Sequence, residues 1–175
     1  MTGRVARASV LAAGMSLLGS GGSAAQANWA SPEIGWSEIR GLTVGARVGR
    51  ELVGGLDVVM QGLWHFPDET GIVDPGASAQ RSSWQASANL TYAFDRTRAV
   101  SPYVGLGGRY GRATLTVVSG GYRAGQIRSG FGVNYLGGVR LPRLPWTPWI
   151  ELRGGEELWT LTGGVQWRFG GREGS

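Results

Sequence analysis

The chain has 175 residues, enough for one domain, and its 32 glycines argue against long soluble helices. Cysteine is absent, which excludes disulfides, cysteine-ligated metals and a diacylated lipoprotein anchor. All 17 basic residues are arginines, and they give a net charge of +5. Because these arginines are scattered singly rather than clustered, no nucleic-acid partner is indicated.

Residues 1–27 have the order of an export signal. Arg4 and Arg7 give them a basic start; an apolar run over residues 8–18 follows, and a small-x-small cleavage site at Ala25–Ala27 ends them. The run is too short to span a bilayer; the alternative is a buried N-terminal helix. We predict that the signal is cleaved and that residues 28–175 form one domain, in which 15 arginines against 12 acids leave a charge of +3.

The mature chain contains no apolar run long enough for a membrane helix, so any insertion must use strands. Its first segment, residues 28–38, is the weakest candidate strand, because Pro32 has no N–H for a ladder. Seven later segments alternate apolar and polar residues with the period of a strand: 42–48, 56–66, 82–94, 102–111, 130–141, 148–153 and 158–169. Between the fourth and fifth of these, Ala113–Arg128 is interpreted as a glycine-containing loop that could extend the flanking strands.

One face of nearly every segment is rich in large apolar residues, and the other is polar. In residues 82–94, for example, Trp84, Leu90 and Tyr92 alternate with Gln85 and Asn89. A soluble sandwich or barrel alternates in the same way, so alternation alone does not identify the environment. The polar faces carry Arg47, Asp57, Gln61, Gln85, Asn89, Arg109, Asn134, Arg140, Glu151, Arg153, Gln166 and Arg168.

The aromatic residues favour a membrane. If the strands run up and down, one rim receives Tyr92, Phe94, Tyr103, Trp146, Trp167 and Phe169, and the other receives Trp64, Phe66, Trp84, Phe131 and Trp159. Two aromatic belts around a band of smaller apolar residues are typical of a transmembrane β-barrel. The connections at the first rim are short (residues 95–100 and 142–147), and two at the other rim are long (67–81 and around 117–125), although residues 154–156 are short. This asymmetry predicts that the first rim is periplasmic.

Closure completes the fold prediction. An open sheet edge cannot be satisfied in lipid, and bacterial single-chain barrels have an even number of strands. An eighth strand is therefore required, and residues 28–38 are the only segment left for it. We predict an all-β, antiparallel, up-and-down transmembrane β-barrel of eight strands, seven of them legible; a partner chain or a partly open barrel is the alternative.

Three stretches resemble the small outer-membrane β-barrel family of the OmpA and OmpX type: SPYVGLGGRYG, GFGVNYLGGVR and the C-terminal TGGVQWRF. The resemblance implies an outer-membrane location in a Gram-negative cell envelope, with outer-membrane lipids and lipopolysaccharide as partners. It also implies that the barrel-assembly machinery reads Thr162, Gly164, Trp167 and Phe169 as its signal. The family usually ends on the aromatic residue, whereas GGREGS follows Phe169 here.

The inward-facing charges allow two interpretations. They are Arg47, Asp57, Arg109, Arg140, Glu151, Arg153 and Arg168. An eight-stranded barrel is just wide enough for side chains, and unpaired buried charge is costly, so we expect these residues to pair and fill the lumen. Because five arginines face only two acids, a narrow anion-selective channel is the alternative.

Some barrels of this size are lipid-modifying enzymes, which makes the histidine and nearby serines of this chain candidate catalytic groups. His65 is the only histidine, and although Ser82 and Ser83 begin the next segment, the His-x-Ser pattern of lipid A deacylases is absent. We interpret His65 as a rim residue at the membrane interface. One histidine and dispersed acids do not indicate a metal site. We therefore expect no cofactor, no metal and no catalysis, and predict a structural or surface-interaction barrel whose loops could bind an unidentified ligand, with a lipid-acting enzyme as the less favoured alternative.

Overall fold

The computed structural model describes residues 27–37, 41–69, 77–119, 122–142, 146–155 and 159–169. The predicted export signal, apart from Ala27, and the six residues after Phe169 lie outside this part of the chain. The described residues form eight strands: β1 (Asn28–Ser37), β2 (Gly41–Glu51), β3 (Leu56–Glu69), β4 (Ala77–Ala93), β5 (Ser101–Ser119), β6 (Tyr122–Arg140), β7 (Thr147–Gly155) and β8 (Thr160–Phe169). No helix in these ranges is both long and apolar enough to cross a membrane.

Each strand pairs antiparallel with the next, and β1 pairs with β8 to close the barrel. The predicted eight-stranded, up-and-down fold is confirmed, including the weak first strand. Pro32 interrupts the ladder to β8 only locally, since Ala30 pairs with Trp167 before it and Glu33 with Gly164 after it in the same register. The side chain of Pro32 is exposed on the outer face, so the residue costs β1 ladder hydrogen bonds but not its register.

We call the end where Asn28 pairs with Phe169 the lower rim, and the opposite end the upper rim. The connections after β2, β4 and β6 lie at the lower rim; they comprise residues 52–55, residues 94–100 and, among those described, residues 141, 142 and 146. In the first of them Gly54 and Gly55 have φ angles of 65° and 90°, which only glycine adopts without strain. These tight connections agree with the short turns that the sequence predicts at this rim.

The two connections predicted to be long at the upper rim contain less loop than the sequence indicates, because the strands continue into them. Residues 67–69 and 77–81 belong to β3 and β4, and residues 117–119 and 122–125 belong to β5 and β6; residues 70–76, 120 and 121 lie outside the described part. Within the predicted loop Ala113–Arg128, residues 113–119 and 122–128 are likewise strand, so the flanking strands do extend into it. Alternation fades there because the segment rises above the barrel, where both faces meet water and neither must be apolar.

The outer face of the barrel is apolar and the inner face is polar. Exposed aromatic residues ring the lower rim (Tyr92, Phe94, Trp146, Trp167 and Phe169) and the upper rim (Trp36, Phe66, Phe131 and Trp159). Tyr103 corrects the predicted lower belt, because its side chain points inward and is only 1% exposed. Its phenol ring lies over Gly138, where an added Cβ would stand 2.7 Å from the hydroxyl oxygen, so glycine provides the space for this inward ring.

Candidate functional site

The charged residues of the lumen form two layers, and the lower layer is centred on Asp57. Its buried carboxylate accepts one hydrogen bond from Arg140 (2.8 Å) and one from Arg96 (2.6 Å). Arg96 belongs to the turn between β4 and β5, so a side chain of that turn reaches into the lower mouth. Arg96 also pairs with Glu51 (3.0 Å), which in turn pairs with Arg168 (3.1 Å). The lower mouth is therefore crossed by a continuous set of ion pairs.

The central layer is centred on Glu151, which is 1% exposed. One oxygen accepts hydrogen bonds from Arg47 and from the Tyr103 hydroxyl, each at 2.9 Å. The other oxygen accepts from Arg153 at 2.5 Å. Two cations and a phenol thus surround one buried carboxylate, which compensates the cost of removing all these groups from water.

Gln61 connects the central layer to Glu33. Its amide nitrogen donates to both oxygens of Glu33 at 2.7 Å, while its amide oxygen accepts from Arg153 and from the Ser87 hydroxyl. Glu33 is 5% exposed, and Gln61 links it to Arg153 in the same interior. The layer therefore holds two carboxylates and two guanidinium groups, so its formal charges balance.

Aromatic rings fill the space that the charged groups leave. The Arg47 guanidinium lies over the Trp149 ring, 3.1 Å from the ring centroid, and the Arg140 guanidinium lies 4.3 Å from that of Tyr103. Trp29 is fully buried between these arginines. Together the ion pairs and rings occupy the lumen from the lower mouth to its centre.

Of the seven charged residues predicted to face the lumen, five belong to the two ion-paired layers, and Arg109 and Arg168 lie outside them. Arg47, Asp57, Arg140, Glu151 and Arg153 are buried and joined by the contacts above. Arg109 lies higher, over Gly132 and Gly155, and makes no ion pair within the described residues. Arg168 lies at the lower rim with its side chain 44% exposed, paired with Glu51.

Several interior residues were missed by sequence reasoning. Glu33 was overlooked because Pro32 weakened the case for β1, although Ser31, Glu33 and Ser37 have the spacing of one inward face. Arg96 was assigned to a turn, and its reach back to Asp57 has no signal in the alternation. With Glu33 and Glu51 added, the described acids in or beside the two arginine layers number four rather than two.

The predicted assembly signal lies along β8. Thr162 is buried on the inner face, whereas Trp167 and Phe169 are exposed on the outer face of the lower rim. Gly164 allows the Pro32 carbonyl of β1 and the Trp149 ring to approach closely, so a side chain there would meet both. β8 is thus the strand that closes the barrel, and its outward aromatic residues face the surroundings.

His65 does not lie at the membrane interface as predicted. It is 3% exposed on the inner face of β3, and its register partners are Thr43 of β2 and Ser83 of β4. His65 is an even number of residues from Asp57 and Gln61 along β3, so its side chain points to the same inner face of the strand. Within the described ranges, no three His, Asp or Glu side chains come close enough to hold a metal ion.

Three strands extend farthest above the barrel as what we call the protruding sheet: residues 77–83 of β4, 111–119 of β5 and 122–133 of β6. The end of β3 borders this sheet, since Asp68 and Glu69 pair with Arg81 and Gln80. Strand β7 pairs with β6 only from Asn134 downward, so Tyr122–Val133 pairs with β5 alone among the described residues. We call this segment the β6 edge. All of its residues except Gly132 are exposed.

An outward aromatic row marks where the protruding sheet leaves the barrel. Trp64 and Trp84 are register partners, the ring of Trp84 lies 5.6 Å from that of Tyr110, and Tyr110 lies 4.8 Å from Phe131. Aromatic residues of this kind sit at the interface between hydrocarbon and water. The protruding sheet therefore begins where the hydrocarbon would end.

The protruding sheet carries arginines without partners. Arg81 and Arg128 lie on its inner face, continuous with the lumen, and Arg112 and Arg123 lie on its outer face. None of the four guanidinium groups makes an ion pair or hydrogen bond within the part of the chain that the structure describes. A sequence signal was available, because residues 101–140 contain five arginines and no acid.

The closed eight-stranded barrel, with its polar interior and aromatic rims, defines the fold of the small outer-membrane β-barrel proteins. No protein-family model matches the sequence, and no curated protein matches it. Solved structures of low sequence identity do match, and they bear on the fold alone.

The N-terminal β-barrel domain of Pseudomonas aeruginosa OprF matches with a TM-score of 0.60 at 15% identity, over 82% of this chain and 97% of that one. A major outer membrane protein from Thermus thermophilus matches with a TM-score of 0.59 at 13% identity, over 83% and 100%. Neisserial surface protein A matches with a TM-score of 0.55 at 18% identity, over 82% and 96%. The suspected resemblance to small outer-membrane barrels is thus confirmed for the fold.

Proposed function

We infer that this chain is a non-enzymatic outer-membrane β-barrel that acts at the cell surface through its protruding sheet. The observation that carries the inference is the contrast between a lumen occupied by ion pairs and an exposed β6 edge, whose side away from β5 pairs with no described strand. An edge strand presents a row of free N–H and C=O groups to which another extended chain can add. The partner proposed here is therefore an extended protein segment that adds to β6.

The filled lumen supports this role over an anion channel. Arg47, Arg140 and Arg153 are each bonded to a carboxylate, so they are not available to attract a passing anion. Opening a path would require breaking buried ion pairs, which is strongly unfavourable. In planar lipid bilayers the purified protein is expected to give no discrete conductance steps, and regular steps from the intact protein would refute the closed lumen.

The location is part of the proposal. Export by cleavage after Ala27, insertion by the barrel-assembly machinery through β8, and contact of the outer face with lipid and lipopolysaccharide would place the protruding sheet outside the cell. Intact-mass measurement should give a mature chain beginning near Asn28. Phe169→Ala should reduce the amount of assembled barrel in outer-membrane fractions, because Phe169 is an exposed aromatic residue on the closing strand.

The edge is tested by shortening the hairpin. Leu115 pairs with Gln126, so residues 116–125 can be replaced by Asn-Gly, a two-residue turn suited to that position. Random 12-residue peptides selected on the full-length barrel in micelles should protect amides of the β6 edge from hydrogen exchange. They should bind more weakly to the shortened variant, which keeps only Gln126–Val133 of the edge. If no peptide is selected, or if the selected peptides bind both forms equally, the edge is not the binding surface.

A further inference from the structure

A cleft opens on the inner face of the protruding sheet, above the barrel mouth. Its volume is about 300 Å³, at the lower end of the range for ligand sites. Arg81 of β4, Ala113 and Leu115 of β5, and Gln126 and Arg128 of β6 line it. The cleft is separate from the β6 edge, because it uses side chains of all three strands rather than backbone groups of one.

The register places the two arginines on opposite sides of an apolar floor. Arg81 is opposite Leu115, and Arg128 is opposite Ala113, so β5 lies between them. Neighbouring strands are about 5 Å apart, which puts β4 and β6 about 10 Å apart. Two long side chains at this spacing can reach the same ligand from both sides, while Gln126 offers an amide beside them.

The cleft also has a local excess of positive charge. Neither arginine has a partner within the described residues, and Arg109 lies lower on the same inner face without an ion pair. Strands β5 and β6 contain no acid, and the nearest acid in register is Asp68 of β3, opposite Arg81. An anion entering the cleft from the side of β6 therefore meets no opposing negative charge on β5 or β6.

We propose that this cleft binds a phosphate or sulfate ester of a sugar. Guanidinium groups bind tetrahedral oxyanions through paired, charge-assisted hydrogen bonds, which assigns Arg81 and Arg128 to the ester groups. The Gln126 amide can both donate to and accept from sugar hydroxyls. Leu115 and Ala113 provide an apolar floor for the C–H face of the ring, so the lining matches an anionic sugar better than a bare anion.

The test uses the full mature chain in zwitterionic micelles at low salt, with calorimetry of two probes, glucose 1,6-bisphosphate and a sulfated disaccharide. Arg128→Gln and Arg81→Gln should each weaken binding about tenfold, since each removes a charge-assisted pair. Arg112→Gln is the matched control, with the same change on the outer face of the same hairpin, and should alter affinity less than about twofold. Uncharged sucrose should not bind.

The outcomes separate a site from diffuse attraction. Equal weakening by Arg112→Gln and Arg128→Gln would overturn the proposal, as would the absence of binding of both probes. Tighter binding of the phosphorylated probe would indicate a phosphorylated lipid sugar as the source, and tighter binding of the sulfated probe a sulfated glycan. The shortened hairpin retains Leu115, Gln126 and Arg128, so it should keep binding these probes even if it loses peptides.

Discussion

The barrel interior and the protruding sheet both contain arginine, but they differ in what surrounds it. In the interior, Arg47, Arg140 and Arg153 each hydrogen-bond a buried carboxylate. On the protruding sheet, Arg81 and Arg128 have no partner within the described residues. Water solvates an exposed guanidinium and makes pairing unnecessary, whereas a buried one must be paired. The same residue type therefore closes the lumen below and leaves a charged surface above.

The largest expected effect comes from removing the central acid. Glu151→Ala leaves two buried guanidinium groups without their carboxylate, and should lower the free energy of unfolding by about 3 to 5 kcal/mol. Arg112→Ala, on the protruding sheet, should change it by less than about 0.5 kcal/mol. Urea unfolding in lipid vesicles, followed by tryptophan fluorescence, measures both. Similar losses for the two variants would remove the distinction between the regions.

A second pair of variants compares the outer faces of the two regions. Leu90 is exposed on the barrel wall, so Leu90→Arg should cost about 2 to 4 kcal/mol if it lies near the middle of the membrane. Ile127 is also exposed, on the protruding sheet above the aromatic row, and Ile127→Arg should cost almost nothing. The same unfolding assay in vesicles applies. An equal cost would place the protruding sheet inside the bilayer.

Hydrogen exchange compares the two halves of a single strand. Amides of β6 below Asn134 pair with both β5 and β7, whereas those of Tyr122–Val133 pair with β5 alone among the described residues. The amides of the upper half that point away from β5 should exchange orders of magnitude faster. Residue-resolved exchange in nanodiscs measures this. Uniform protection along β6 would show that something covers the edge.

The smallest effect concerns the lower turn. The Thr97 hydroxyl and backbone N–H both donate to Asp95, and these bonds lower the pKa of its carboxyl. Because the pKa of Asp95 is lower in the folded state, its ionised form stabilises the fold above the unfolded-state pKa of about 3.9. This contribution to the free energy of unfolding disappears as the pH falls through the folded-state pKa. An NMR titration of Asp95 should therefore give a midpoint below about 3.9. Thr97→Ala should raise the midpoint, and an unchanged midpoint would contradict the assignment.

The order and phase of the strands were legible in the sequence, because lipid outside and a polar interior impose alternation on each residue in turn. That pattern placed Asp57, Gln61 and Glu151 on the inner face, where the structure has them. The alternating pattern does not predict the strands above the membrane, where no lipid requires an apolar outer face. Above the membrane, Ala113–Arg128 has no apolar face to maintain, and its strands were interpreted as a loop.

The alternation of residues 42–169 together with the aromatic residues at the two rims determined a transmembrane barrel, since each strand must match its own surroundings residue by residue. Tertiary structure decided which charges meet. Arg47 and Glu151 are 104 positions apart in the chain, and Arg96 reaches Asp57 from a turn. The pairing of β1 with β8 fixed the register in which the barrel closes. The greater length of β6 relative to β7 left the β6 edge exposed. Pairings across a closed barrel depend on the register of all eight strands at once, which no local pattern contains.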